Sequence, residues 1–255
     1  MMAIVLAYIT LLGLCVGSFL NVCIYRLPLR QSLVTPRSRC TSCGRTLTWS
    51  DNIPVLSWAW QRARCRTCGA PISWMYPAVE IVTGLVFLGA YLMYGPTPLF
   101  VVRAAFASSL IVLFVIDLQH RILPNVITIP GIAIGLLCSF FLPPGWLDSL
   151  LGIAVGGGTL FAIAEGYYRV RRMEGLGMGD VKLLAMIGAF LGWKLVLLTL
   201  ILASFAGSLA GVTLIASGRG SMKLALPFGT FLAVGAVVAA TWGDPVVEWY
   251  LGFYR

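Results

Sequence analysis

The sequence predicts an all-α polytopic membrane protein with about eight transmembrane helices and one small cytoplasmic cysteine-rich loop domain. Three observations carry this. Of 255 residues, 59% are hydrophobic and only 11% charged, with a mean hydropathy of +0.93, outside the range of soluble domains. Apolar segments of about the length of a span recur along the chain. The one polar insertion, residues 26–76, is too small and too poor in apolar residues for an ordinary core. The net charge of +9, from 18 basic and 9 acidic residues, would point to nucleic acid in a soluble protein. Here the retention of lysine and arginine on cytoplasmic loops explains it, and no nucleic-acid partner is expected.

The first apolar segment covers 3–24. Met1–Tyr25 has no basic amino-terminal region and no A-x-A-like cleavage site, so it reads as a retained first span rather than a removable signal. After the 26–76 insertion come segments at 77–94, 98–117, 125–142, 148–168, 180–193, 195–216 and 224–241. The segment at 180–193 is short, reaching about 20 Å at about 1.5 Å per residue against a hydrocarbon core of about 30 Å. It is expected either to be re-entrant or to end at a Gly192-Trp193-Lys194 turn set deep in the interface. The domain reading is therefore 1–25, a first transmembrane helix; 26–76, a loop domain; and 77–255, a multi-helix transmembrane domain.

Orientation follows from the basic residues. Arg26, Arg30, Arg37, Arg39, Arg45, Arg62, Arg64 and Arg66 follow the first span, and Arg121 follows the third. Arg169, Arg171 and Arg172 follow the fifth, and Arg219 and Lys223 the seventh. The turns at 95–97 and 142–147 carry none. The expected topology has the N-terminus outside, the cysteine loop inside and the C-terminal tail outside. A sixth segment that failed to cross would put Arg219 and Lys223 outside, so crossing is favoured.

The loop contains Cys40-Thr-Ser-Cys43-Gly44 and Cys65-Arg-Thr-Cys68-Gly69, with twenty-one residues between Cys43 and Cys65. Paired C-x-x-C knuckles at nearly this separation are the signature of a tetrahedral Zn²⁺ site. Four thiolates would close the shell, making the metal structural, and binding would supply the loop's folding energy. Two disulfides are the rival, and a reducing cytoplasm argues against them. Cys15, Cys23 and Cys138 lie in spans at no ligand spacing and read as small apolar packing residues.

The remaining chemistry centres on Gly175-Leu176-Gly177-Met178-Gly179-Asp180-Val181-Lys182. Three alternating glycines lead into a carboxylate at the start of an apolar helix. Taken alone, Asp180 is as good an N-cap as a reactive group. Asp117 is harder to set aside, because it ends the third span and faces the negative end of a helix dipole. By topology both aspartates lie at the cytoplasmic boundary. Paired carboxyls share a proton and suit general acid–base hydrolysis. The dipoles lead to the expectation that Asp180 is ionised and Asp117 protonated. Gly177 and Gly179, with Glu174 and Lys182, would support the site, Lys182 pairing with a carboxylate or a lipid phosphate. Asn125, next to Pro124, reads as the N-cap of the fourth span. Glu80 and Glu165 read as structural or cavity-lining, and His120, the single histidine, as a surface or interface residue. Asp51, Asp148, Asp244 and Glu248 lie in loops or outside.

The set of motifs, in order, resembles the type IV prepilin peptidase family, bifunctional leader peptidases and N-methyltransferases. It comprises Gly17-Ser-Phe-Leu-Asn21-Val-Cys-Ile-Tyr25-Arg26-Leu-Pro28, the doubled C-x-x-C loop with Asp51-Asn52-Ile-Pro54 and Tyr76-Pro77…Glu80, Phe114-Val-Ile-Asp117 with Leu123-Pro124-Asn125, Gly177-Met-Gly-Asp180, and Pro227-Phe228-Gly229. The resemblance implies a bacterial inner-membrane enzyme of pilus or type II secretion systems. Such an enzyme cleaves type IV prepilin or pseudopilin precursors after the glycine ending a basic leader. It then methylates the new N-terminal residue using S-adenosylmethionine. By residue match, Asp117 and Asp180 would be catalytic, and the 26–76 loop would be methyltransferase-associated. No Gly-rich Rossmann fingerprint is present to hold the methyl donor. Two readings stay open from the residues alone: an intramembrane aspartyl protease without methyl transfer, and a cation transporter using membrane carboxylates.

Overall fold

The computed structural model describes residues 1–172, 177–218 and 226–253. Among these the chain is almost wholly helical: α1 (Met2–Arg26), α2 (Leu56–Trp60), α3 (Met75–Tyr94), α4 (Pro98–His120), α5 (Asn125–Cys138), α6 (Trp146–Arg171), α7 (Met178–Ala216) and α8 (Phe228–Gly252). Among the described residues no strand forms, and two isolated bridges occur, Arg39 with Thr46 and Arg64 with Pro71. Each of the eight predicted apolar segments contains a helix, though 125–142 is helical only to Cys138 and 224–241 only from Phe228. By length and composition, six helices can cross a membrane and α5 is a shorter apolar helix.

The difference from eight has two causes. The sixth and seventh segments run together as the 39-residue α7, interrupted where Gly192 takes φ 81° and ψ 175°. That backbone region is open to glycine and closed to residues with a Cβ. The Gly192-Trp193-Lys194 turn is therefore a break between two helical halves. The segment at 125–142 stops at Cys138, ahead of Pro143-Pro144, whose rings cannot continue a helix. Arg219 and Lys223, used for orientation, and Glu174 lie outside the described residues.

The chain divides into two compact units, Met1–Val112 and Leu113–Arg255. In the first, α1 lies against α3 through small residues. A Cβ at Gly13 would sit 2.8 Å from the Gly84 Cα, and one at Gly17 2.7 Å from the Glu80 Cα. This Gly-x-x-x-Gly spacing on α1 allows the close backbone approach used between membrane helices. Ile9, Phe87, Phe100 and Ala104 form a buried cluster, with the Phe87 and Phe100 rings edge-to-face at 6.1 Å. Glu80 is structural: its Oε2 accepts the Val55 N–H at 2.7 Å and ties the loop to α3. Arg26 caps the loop's start, donating to the Ser32 carbonyl at 2.8 Å and the Pro36 carbonyl at 2.6 Å.

The second unit is built round the first half of α7. Leu183 through Gly192 are all buried, as expected of a helix that is apolar on every side. α5, α6 and α8 pack against α7. At the α6 crossing a Cβ on Gly156 would lie 2.7 Å from the Leu184 carbonyl oxygen. Ser149 donates to the Ala189 carbonyl at 2.8 Å. The result brings the end of α4 and the starts of α5, α7 and α8 to one place.

Candidate active site and metal centre

Asp117 lies in the last turn of α4 and is buried. Its Oδ2 accepts the backbone N–H of Thr230 at 2.9 Å. The residue before it, Gly229, leaves the room: a Cβ there would stand 2.9 Å from Asp117 Oδ2 and 2.9 Å from Leu123 Cδ1. Thr230 Oγ1 donates to the Pro227 carbonyl at 2.6 Å, closing the first turn of α8. The positive end of α8 thus answers the carboxylate that α4's own dipole opposes. The α4 dipole behind the expectation of a protonated Asp117 is thus countered by a donor from α8.

Asp180 is the third residue of α7, whose N-cap is Gly177 and carries no side-chain cap. Asp180 is therefore not the N-cap the sequence allowed. Its Oδ2 faces Gly177, and the carboxylate draws on the Gly177 backbone N–H, as a third-position acid does when it reaches back to a helix start. Gly179 lies against Leu123, where a Cβ would meet the Leu123 Cβ at 3.0 Å. The two carboxylates interact electrostatically, and both line one cavity of about 330 Å³. Arg121, Ile122, Leu123, Asn125, Gly177, Gly179 and Lys182 complete its wall.

The structure therefore brings Asp117, Asp180, Gly177, Gly179 and Lys182 together, while Glu174 lies outside the described residues. Two further expectations are corrected. Among the described residues Lys182 pairs with no carboxylate, the first of the two partners expected for it; its Nζ donates to Asn125 Oδ1 at 2.9 Å. Asn125 is the first residue of α5, after Pro124, and does not cap it. The sequence reading missed Arg121 and Thr230 as neighbours of Asp117. Pro227-Phe228-Gly229 is a visible signal for a helix start, but a backbone donor has no side-chain signature.

Gly229→Ala is expected to crowd Asp117 and Leu123 and displace the carboxylate. Reaction rate should fall by about tenfold or more, measured as kcat, with little change in thermal stability. Unchanged kcat would show that the Thr230 contact does not set the Asp117 position.

The cysteine loop forms two matching knuckles. Gly44 N–H donates to the Cys40 carbonyl at 2.9 Å and Cys40 N–H to the Arg45 carbonyl at 2.8 Å. In the second, Gly69 N–H donates to the Cys65 carbonyl at 2.9 Å and Cys65 N–H to the Ala70 carbonyl at 2.9 Å. Gly44 and Gly69 take φ of 72° and 69°, where glycine is at ease. The Sγ atoms of Cys40, Cys43, Cys65 and Cys68 all lie within 4.8 Å of one another, and Cys40 and Cys68 are 3.9 Å apart. The edge of a tetrahedral zinc–sulfur site is about 3.8 Å for bonds of about 2.3 Å. The thiols are free. The Cys68 and Thr67 amides hold the Cys65 thiol down, to about 6. The Cys43 and Ser42 amides lower Cys40 likewise. Four sulfurs at this spacing fit a tetrahedral Zn²⁺ site.

Asp51 joins the knuckles. Its Oδ2 accepts Arg45 Nη2 at 3.0 Å, the Thr48 N–H at 3.0 Å and the Thr48 hydroxyl at 2.8 Å. Arg66 Nε, from the second knuckle, stands 3.4 Å from Oδ1. Burial pushes its carboxyl up, but the Thr48 donors and the two guanidinium groups outweigh this and hold it below its usual range.

Known proteins resemble this chain over most of its length. Residues 11–94 match the Bacterial Peptidase A24 N-terminal domain, and residues 104–212 match the Type IV leader peptidase family. A prepilin leader peptidase/N-methyltransferase of Pseudomonas putida is 36% identical over 93% of this chain and 90% of its own length. The chain belongs to the type IV leader peptidase family. A like-named protein of Aeromonas salmonicida (strain A449) is 34% identical over 94% of this chain and 92% of its own. One of Myxococcus xanthus (strain DK1622) is 47% identical over 83% of this chain, which spans 64% of that relative's length. No solved structure matches the chain. The family member described here is a multi-pass membrane protein and an enzyme of the peptidase and methyltransferase class that its relatives' names describe.

Proposed function

We propose that this leader peptidase hydrolyses the leader from type IV prepilin or pseudopilin precursors by a two-aspartate mechanism and then N-methylates the new N-terminal residue. The observation that carries the peptidase reading is that Asp117 and Asp180, from helices sixty-three positions apart in sequence, line one cavity. One carboxyl takes a proton from water while the other donates a proton to the scissile carbonyl oxygen. Gly177 and Gly179 give the substrate backbone close access, and the α8 amide holds Asp117 in place. The basic loops support a placement of the Cys loop and of this cavity on the cytoplasmic side of a bacterial inner membrane, where a basic leader would lie. The cut is expected after the leader's terminal glycine.

The Cys40, Cys43, Cys65 and Cys68 thiols would hold zinc as the fold's staple in a 26–76 domain between the first helix (1–25) and the peptidase helices (77–255). S-adenosylmethionine would supply the methyl group. The described residues show no strand and no glycine-rich strand-to-helix turn to seat its nucleotide, so no step is derived through it.

Incubating the purified protein with a prepilin and radiolabelled S-adenosylmethionine tests the reading. Cleavage with label on the mature N-terminus is expected. Cleavage without label would leave an aspartyl protease alone, and neither would favour a carboxylate-based transporter.

A further inference from the structure

The cavity that holds the two aspartates also takes two cations into its wall, Arg121 and Lys182. Lys182 is the fifth residue of α7, near the positive end of that helix. A cation there is disfavoured by the dipole, so helix stability does not account for it. Its ammonium is fixed by a residue fifty-seven positions away, the first of α5, through the 2.9 Å bond to Asn125 Oδ1. An ammonium has three donors and no acceptor, and Asn125 takes one of them. The cation is thus tethered beside the carboxylates without being neutralised by either.

The next step rests on the peptidase reading. In hydrolysis the water oxygen bonds to the scissile carbonyl carbon, the C–N bond breaks, and the leaving nitrogen takes a proton. The acyl fragment leaves as an acid that loses its proton near neutrality. A third carboxyl group then stands in a cavity that already holds two. Negative charges sharing one cavity oppose one another, so a cation in its wall favours the product. We propose that Lys182, tethered by Asn125, is the residue that binds the new C-terminal carboxylate of the cleaved leader.

The test compares two synthetic leader peptides of one sequence, one with a free C-terminal carboxylate and one with a C-terminal amide. Binding of each to the full-length protein in nanodiscs is measured alongside prepilin cleavage in the same preparation. The acid is expected to bind roughly tenfold tighter than the amide. Lys182→Gln should remove that preference while leaving amide binding unchanged, and Lys182→Arg should keep part of it. Arg121→Gln should retain the preference. Equal binding of acid and amide by the parent protein overturns the proposal, as does a preference that survives Lys182→Gln or vanishes in Arg121→Gln. If cleavage proceeds but the preference is absent, this inference alone falls. If cleavage itself is absent, the peptidase reading falls and takes the inference with it.

Discussion

Asp117→Asn and Asp180→Asn are each expected to lower prepilin cleavage by about 10²–10⁴-fold, the range for loss of a positioned acid or base. The substitution keeps shape. An asparagine at 117 still offers an oxygen to the Thr230 N–H that now meets the carboxylate at 2.9 Å, so helix packing and thermal stability should hold. The loss should appear in kcat rather than in precursor binding, because neither side chain is assigned to hold the substrate. Methylation of a pre-cleaved pilin should survive both changes. Retention of full cleavage by either variant would remove that aspartate from the mechanism.

The second large effect concerns the cysteine loop. Cys43→Ser combined with Cys68→Ser removes one ligand from each knuckle. Zinc content, measured by elemental mass spectrometry, is expected to fall from one ion per chain to none. Structural zinc sites contribute about 10–16 kcal/mol in small zinc domains, and this loop has little else to hold it. Its buried polar anchor, Asp51, depends on Arg45 and Arg66 arriving from the two knuckles. Residues 26–76 should therefore become sensitive to protease while helicity of the spans is kept. A metal-free loop that stays protected, or one found to contain two disulfides, would contradict the zinc assignment.

Much of this was legible in the sequence because membrane solvent simplifies the problem. Apolar length marks a span whatever its neighbours, so each of the eight segments contains a helix, with the ends of 125–142 and 224–241 misplaced by a few residues. The thiol cluster followed from ligand spacing, since two C-x-x-C knuckles bring their sulfurs together by local turns. The shared end for Asp117 and Asp180 followed from counting crossings. What stayed hidden depends on tertiary contact. Whether 180–193 and 195–216 form separate helices or one interrupted helix turns on Gly192, where a Cβ would meet Pro144 Cβ at 3.1 Å and Asp148 Cβ at 3.4 Å. Lys182 and Asn125 are joined across helices, and no spacing rule links them. The Thr230 amide is invisible for a different reason: every residue but proline has such a donor, and only the fold shows which one meets a carboxylate. Reasoning from the α4 dipole therefore took in only part of the surroundings of Asp117.

The most direct test of one shared site is the double variant Asp117→Asn/Asp180→Asn, assayed for prepilin cleavage beside the two single variants. If both carboxyls act on one water and one carbonyl, the double variant should be about as impaired as the worse single one, as for residues that work as a unit. Losses that multiply, each variant retaining the other's full contribution, would mean that the aspartates act independently and that the common cavity is not the seat of hydrolysis.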